Sequence, residues 1–256
     1  MMQTERVIAG VDGCKRGWVA AVLRPGGEPE AAVHAGFAEL LDSLPDDAVV
    51  VVDMPIGLPE RVGLGGRGPE RLVRPHLGPR QSSVFSVPSR AAVYAEDVAF
   101  TPLADWYAAH RRASIVARAT SDPPRAISIQ AFALFGKMRE IDAQLIVRPA
   151  LRARVAESHP EVAFWRLNGE KPMCRAKKIS GRINEPGMKE RRELLAHHGV
   201  PRAFLDRPAP SGAGADDFLD AVAMLMVARR FARGEAISFP DPPDRDARGI
   251  PIAIWT

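Results

Sequence analysis

Cysteine is nearly absent: Cys14 and Cys174 are the only two in 256 residues. A pair so far apart is neither a local metal-ligand motif nor a disulfide framework, and it suits a reducing compartment. No uninterrupted apolar run is long enough to span a bilayer, and the opening Met1-Met2-Gln3-Thr4-Glu5-Arg6 lacks the apolar stretch of a secretory signal. These absences predict a soluble cytoplasmic protein with no membrane partner. Aromatic residues are 6% of the chain and form no RNA-reading signature; Trp106, Tyr107 and Trp165 fall on expected helices, where core or interface packing accounts for them. Internal repeats, heptads and low-complexity domains are missing, as is a glycine-rich phosphate loop of the nucleotide-binding kind.

What is present is enough chain for a full core. The length fits one domain spanning residues 1–256, with an insertion at about 60–150 where the pattern changes. The formal net charge is +4 and the pI about 9.4, a mild excess that permits phosphate binding without requiring it. Arginine supplies most of the 35 basic residues, so an arginine cluster carries less information than usual. Arg6–Asp12 and Trp18–Leu23 read as strands joined by the turn Gly13-Cys14-Lys15-Arg16-Gly17, an antiparallel hairpin. A third strand is expected at Ala31–Phe37 and a short helix at Ala38–Leu44. The unbroken valines of Ala48–Val52 predict a central strand buried on both faces, hence a parallel partner and outer helical layers. Further along, Leu103–Ala119 and Ile127–Val147 read as helices, Arg152–Glu157 as a strand, Pro240–Pro243 as a breaker and Ile250–Trp255 as the final strand. Arg61–Arg90 is rich in Gly, Pro and Arg, a composition suited to contact with phosphate, but most of its arginines read as solvated loop residues.

Four carboxylates stand out at the edges of apolar segments. Asp12 closes Val7–Val11, Asp53 closes Val49–Val52, and Asp217 and Asp220 open the apolar run through Val227. An unpaired carboxylate beside a hydrophobic core costs several kcal/mol, so such acids need hydrogen bonds, cations or metal. Asp217 and Asp220, three apart, share one helical face, and neither has Lys or Arg four residues on. A helix cap explains Asp216 or Asp217 equally well, because Ser211-Gly212-Ala213-Gly214 is a loop; Asp12-Gly13 is also a common turn dipeptide. If the first and fourth strands are parallel neighbours, Asp12 and Asp53 share a rim at the carboxyl ends of the strands, where sites of open α/β sheets gather. Glu157-Ser158-His159-Pro160-Glu161 adds acids and an imidazole to that rim, although Glu161 also suits the first turn of a helix through Leu167 and His159 a turn.

In order, Val11-Asp12-Gly13-Cys14-Lys15-Arg16-Gly17-Trp18, Val52-Asp53-Met54-Pro55-Ile56-Gly57-Leu58-Pro59, Ser82-Ser83-Val84-Phe85, His159-Pro160-Glu161, Lys177-Lys178 and Asp216-Asp217-Phe218-Leu219-Asp220-Ala221 resemble domain-of-unknown-function family 429, predicted nucleases of RNase H-like fold. Asp217-Phe218-Leu219-Asp220-Ala221 also looks like the paired-aspartate final helix of RuvC-type junction resolvases. The resemblance implies an α/β fold with an RNase H-like five-stranded mixed sheet, three leading antiparallel strands, helices on both faces and a largely helical insertion. Asp53 stands where such resolvases commonly carry glutamate, which shortens the reach toward metal.

The expected activity is metal-dependent phosphodiester hydrolysis on nucleic acid. Asp12, Asp53, Asp217 and Asp220 would hold Mg²⁺ or Mn²⁺, with one ion activating water and another stabilising the leaving oxygen. Arg80, Lys177 and Lys178 are candidates for substrate phosphate, and His159 and Glu161 for orienting water or moving a proton. Two alternatives stand beside it. One is a non-catalytic nucleic-acid-binding or scaffold protein of the same fold. The other is a phosphotransferase like actin or the sugar kinases, against which the length and the missing phosphate loop weigh.

Overall fold

The computed structural model describes residues 4–96 and 103–256; residues 1–3 of the opening hexapeptide lie outside them. The chain forms an α/β fold around a mixed sheet with helices on both faces. Its strands are β1 (Ile8–Cys14), β2 (Gly17–Leu23), β3 (Glu30–His34), β4 (Val49–Asp53) and β5 (Val155–Glu157), then the separate hairpin β6 (Lys178–Ile179) and β7 (Arg182–Ile183), then β8 (Ser238–Arg245) and β9 (Pro251–Trp255). Seven of them make one sheet in the order β3-β2-β1-β4-β5-β9-β8. The expected five-stranded sheet is therefore extended by the β9–β8 hairpin. β1–β2–β3 are antiparallel, while β1, β4, β5 and β9 run parallel.

β4 is central because its side chains find apolar partners on both sides. Val50 and Val52 enter the core under the helices Phe37–Asp42, Leu103–Ala119 and Phe135–Val147, whereas Val49 and Val51 enter the core under the helix Ala215–Ala232. Each such valine contributes about 1.5–3 kcal/mol by leaving water. In β1, Ala9 and Val11 face the first layer and Ile8 the second. By strand alternation Asp12 and Asp53 both follow the face covered by Ala215–Ala232. That helix lies directly on β1: a Cβ built at Gly10 would stand 1.9 Å from the Leu225 amide nitrogen and 2.2 Å from the Ala221 carbonyl oxygen.

Three local expectations change. Pro240–Pro243, expected as a breaker before the final strand, lies within β8, at the sheet edge, where the pairing slips between Phe239 and Asp244. Proline is tolerated at edges and bulges because no ladder donor is needed there. The segment Ile127–Val147 is broken at Leu134, with Ser128 capping Ile129–Ala133 by accepting from the Ala131 amide before Phe135–Val147 begins. The hairpin turn is narrower than Gly13–Gly17, since β1 runs through Cys14 and pairs it with Gly17.

Several arginines of Arg61–Arg90 are not solvated. Arg67 is 4% exposed and donates to Glu70 at 2.7 Å, Glu157 at 2.6 Å and the Ile56 and Gly57 carbonyls. Arg90 is also buried, bridging Asp142 and Asp246. Among the described residues no helix is long and apolar enough to cross a membrane.

Candidate metal centre

Parallel pairing puts Asp12 directly beside Asp53 at the carboxyl ends of β1 and β4. Asp12 is thus a strand residue, paired across β2 with Val19, and not a turn-former. The helix Ala215–Ala232 crosses the same face and delivers Asp220, so that one carboxylate oxygen from each of Asp12, Asp53 and Asp220 lies within 4.8 Å of the others. Asp12 and Asp220 are buried and Asp53 is half-buried. The Asp12 Oδ1 accepts the Gly13 amide at 2.6 Å. Asp220 Oδ2 pairs with the Lys177 ammonium, while its Oδ1 is buried without a hydrogen-bond partner.

The electrostatics follow from this crowding. Burial pushes the Asp12 carboxyl well above the usual carboxylate range, and the Asp53 charge pushes it further; Lys177 opposes both. Burial likewise raises Asp53, with Asp217 and Glu161 adding to it and His159 and Lys177 working against it. Such a cluster prefers protons unless a cation offsets its charge. One ammonium balances at most one of three carboxylates.

Asp217 stands close enough to raise both neighbours but is outside the group of three. Its Oδ2 accepts the Gly214 amide at 2.9 Å, closing the first turn of its helix as the acidic partner of a capping box. Spacing of three placed Asp217 and Asp220 on one face, but the cap claims the first of them.

A cleft of about 300 Å³ opens over Asp12 and Asp53 and is lined further by His159, Glu161, Phe85 and Lys177. Lys177 covers the approach to Asp220, which does not itself line the cleft. Its backbone is fixed by the Asn184 amide, which donates to the Lys177 carbonyl at 2.8 Å, and by Gly187 packed against Ala176. Lys178 instead pairs with Asp216, and Arg80, on the 3-10 turn Gly78–Ser83, is outside the cleft lining.

His159 caps the helix Pro160–Leu167: its Nδ1 accepts the Glu161 amide at 3.2 Å and its Nε2 lies 3.4 Å from the Ser83 carbonyl. That pattern requires the proton on Nε2 and leaves no free lone pair. Burial lowers its pKa, favouring the neutral ring, although Asp53 pulls the other way. Glu161 pairs through Oε1 with the fully buried Arg191 at 2.5 Å, leaving Oε2 buried and unpartnered. Glu157 points to the opposite face from Asp53, as its register with Val52 dictates. There it accepts from Arg67 and the Ile56 amide, and burial raises its pKa to about 7 even so.

Arg67 and Arg191 carried no obvious site signal in the sequence. Glu70, three residues after Arg67, was the available clue to a buried pair.

The family profile described as Protein of unknown function (DUF429) matches residues 10–245. No curated protein and no solved structure matches the chain.

Proposed function

The chain belongs to the DUF429 family, a family of unknown function, and on that premise we propose that it is a metal-dependent nuclease whose Asp12, Asp53 and Asp220 hold Mg²⁺ or Mn²⁺. The observation that carries this reading is the convergence of the three carboxylates within 4.8 Å at a sheet rim. The donor set fits: all its atoms are hard oxygens, as those ions prefer, and the buried Asp220 Oδ1 lacks any partner. A divalent ion bound there supplies Lewis-acid chemistry, polarising a phosphoryl oxygen and acidifying its bound water.

The protein's own groups divide the remaining work. Lys177, at the mouth of the cleft, contacts a substrate phosphate once displaced from Asp220. Glu161 Oε2, unpartnered and beside the cleft, orients water. His159, with both ring nitrogens engaged, holds the start of its helix and takes no proton in this scheme. Asp217 supports the site through its helix cap and its charge. Lys178 and Arg80, outside the cleft lining, receive no phosphate here. The order β3-β2-β1-β4-β5 with three leading antiparallel strands supports an RNase H-like core. In this reading residues 1–256 form one domain and about 60–150 an insertion.

The test is cleavage of single-stranded, duplex and junction DNA and RNA in Mn²⁺, comparing wild type with Asp53→Asn. Cleavage by wild type that the substitution abolishes is expected. A wild type inert on every substrate, or a fully active Asp53→Asn, would overturn the proposal. Inertness combined with intact nucleic-acid affinity would favour the non-catalytic binding protein, in which Lys177 stands permanently where metal would bind.

A further inference from the structure

A second cavity of about 490 Å³ lies across the segment Val84–Val87 from the metal centre, and Val84, Phe85 and Val87 line both. The two differ in charge. The first is edged by Asp12, Asp53 and Glu161 with Lys177 beside them, whereas among the described residues lining the second no side chain is acidic and two are arginines, Arg74 and Arg125. Arg74 is bonded only to neutral acceptors: Nε to the Val84 carbonyl at 2.9 Å, Nη2 to Ser86 Oγ at 3.1 Å, and Nη1 to the Gly65 carbonyl. Glu70 reaches Arg74 only through space, its carboxylate being held by Arg67. Arg125 is exposed; its backbone amide is anchored to Ser121 Oγ at 2.8 Å, which fixes the start of the side chain at the cavity wall. Burial lowers the Arg74 pKa, Glu70 works against this, and Arg125 adds a smaller repulsion, so an anion at the cavity wall would offset the cost of burying the guanidinium.

The rest of the wall mixes three serines, Ser86, Ser121 and Ser128, with an apolar part formed by half-buried Phe85 and by Val87, Ala117 and Ile127. A cavity of this size with a partly apolar wall and a few cationic groups suits a nucleotide unit, its phosphate on the guanidiniums and its base against the ring. The Ser82-Ser83-Val84-Phe85 segment has no role in holding metal, and a position between the two cavities gives it one. Resting on the nuclease reading, we infer that the substrate is a polynucleotide strand that crosses Val84–Val87, with one phosphodiester at the carboxylates and a neighbouring nucleotide seated at Arg74, Arg125 and Phe85. A small phosphodiester would leave the second cavity empty.

The test uses fluorescein-labelled ten-residue oligothymidylate and oligouridylate, bound in EDTA so that no cleavage intervenes and followed by anisotropy at several salt concentrations. Arg125→Ala is expected to weaken binding about tenfold, as for loss of a charge-assisted contact, and to reduce the salt slope by about 0.7, the value for one phosphate of a single strand. Phe85→Ala is expected to weaken it at least about fivefold with the slope unchanged, as for a lost stacking contact. Failure of wild type to bind either oligonucleotide, or wild-type affinity in both variants, would overturn the inference. Mn²⁺-dependent hydrolysis of bis(p-nitrophenyl) phosphate by wild type reports on the metal centre separately. Hydrolysis without oligonucleotide binding removes the second site and leaves the metal reading. Arg125-dependent binding with no Mn²⁺-dependent hydrolysis of any diester does the reverse.

Discussion

Replacing Asp220 by asparagine separates metal binding from folding. Asp220 is 2% exposed, and its carboxylate lies within 4.8 Å of those of Asp12 and Asp53. Two like charges at that distance repel by about 3 kcal/mol at an effective dielectric of about 20, and Asp220→Asn relieves this. The same change removes the ion pair with Lys177, a loss of opposite sign, but Lys177 is 25% exposed and its ammonium can turn to water. The metal-free variant should therefore unfold within about 2 kcal/mol of wild type, in either direction. With Mn²⁺ the two diverge. At a concentration one hundred times its dissociation constant, an ion bound only by the native state stabilises by about 2.7 kcal/mol. For a chain of this size that raises Tm by about 5–11 °C, taking about 2–4 °C per kcal/mol. Thermal unfolding across a Mn²⁺ titration should show that rise in wild type and not in Asp220→Asn. An equal rise in both proteins would refute the metal assignment, and a metal-free Asp220→Asn that does not fold would refute the balance of charges argued here.

Lys177→Ala should tighten Mn²⁺ binding by up to about fivefold, because a partly exposed ion pair worth about 0.2–1 kcal/mol no longer competes for Asp220; calorimetric titration showing weaker binding would mean the lysine supports the ion. The metal-free protein should lose stability as pH rises: Asp12 and Asp53 have raised pKa values in the fold, so the native state holds protons that the unfolded chain has released. This contribution is fully present below the ordinary carboxylate range and declines as pH climbs through the folded values. His159, whose pKa is lowered, acts with the opposite sign, stabilising above its ordinary range and less as pH falls, so the carboxylate effect is read as the difference between wild type and Asp12→Asn in EDTA. The Mn²⁺-induced Tm rise should grow over the same interval as protons stop competing. Gly10→Ala should destabilise by about 3 kcal/mol in urea unfolding, the upper end of the usual cost of overpacking, since its Cβ would stand 1.9 Å from the backbone of the facing helix; near-wild-type stability would show that the helix can shift.

Much of the site was legible because strand-ending acids obey simple rules. The valines of β4 announced a central strand, and alternation carried Asp12 and Asp53 to one face once β1 and β4 paired in parallel. Asp220 was legible because nothing along its own helix answered its charge. What failed depended on long-range pairing. Arg67 and Arg90 look like loop arginines until Glu157 and Asp246, distant in sequence, arrive beside them. His159 and Asp217 stand apart from that pattern: both have side chains suited to chemistry, and both are also engaged by backbone amides two and three residues away. The last strand was legible as Ile250–Trp255, but its partner β8 was hidden by its prolines, which mark a break anywhere except at an edge.

The close approach at Gly10 bears also on ion selectivity. Asp12 lies two residues along the strand from Gly10, and Asp220 immediately precedes Ala221, whose carbonyl would stand 2.2 Å from a Cβ at Gly10. Two of the three proposed ligands are thus carried by main chains in direct contact, with no intervening side chain to compress or swell. A cage built on such a stop yields little to the radius of its guest. If the cluster binds metal as proposed, it would favour the short, about 2.0–2.1 Å, bonds of Mg²⁺ over the about 2.3–2.6 Å bonds and higher coordination number of Ca²⁺, and discrimination between the two ions would originate in a glycine that touches neither.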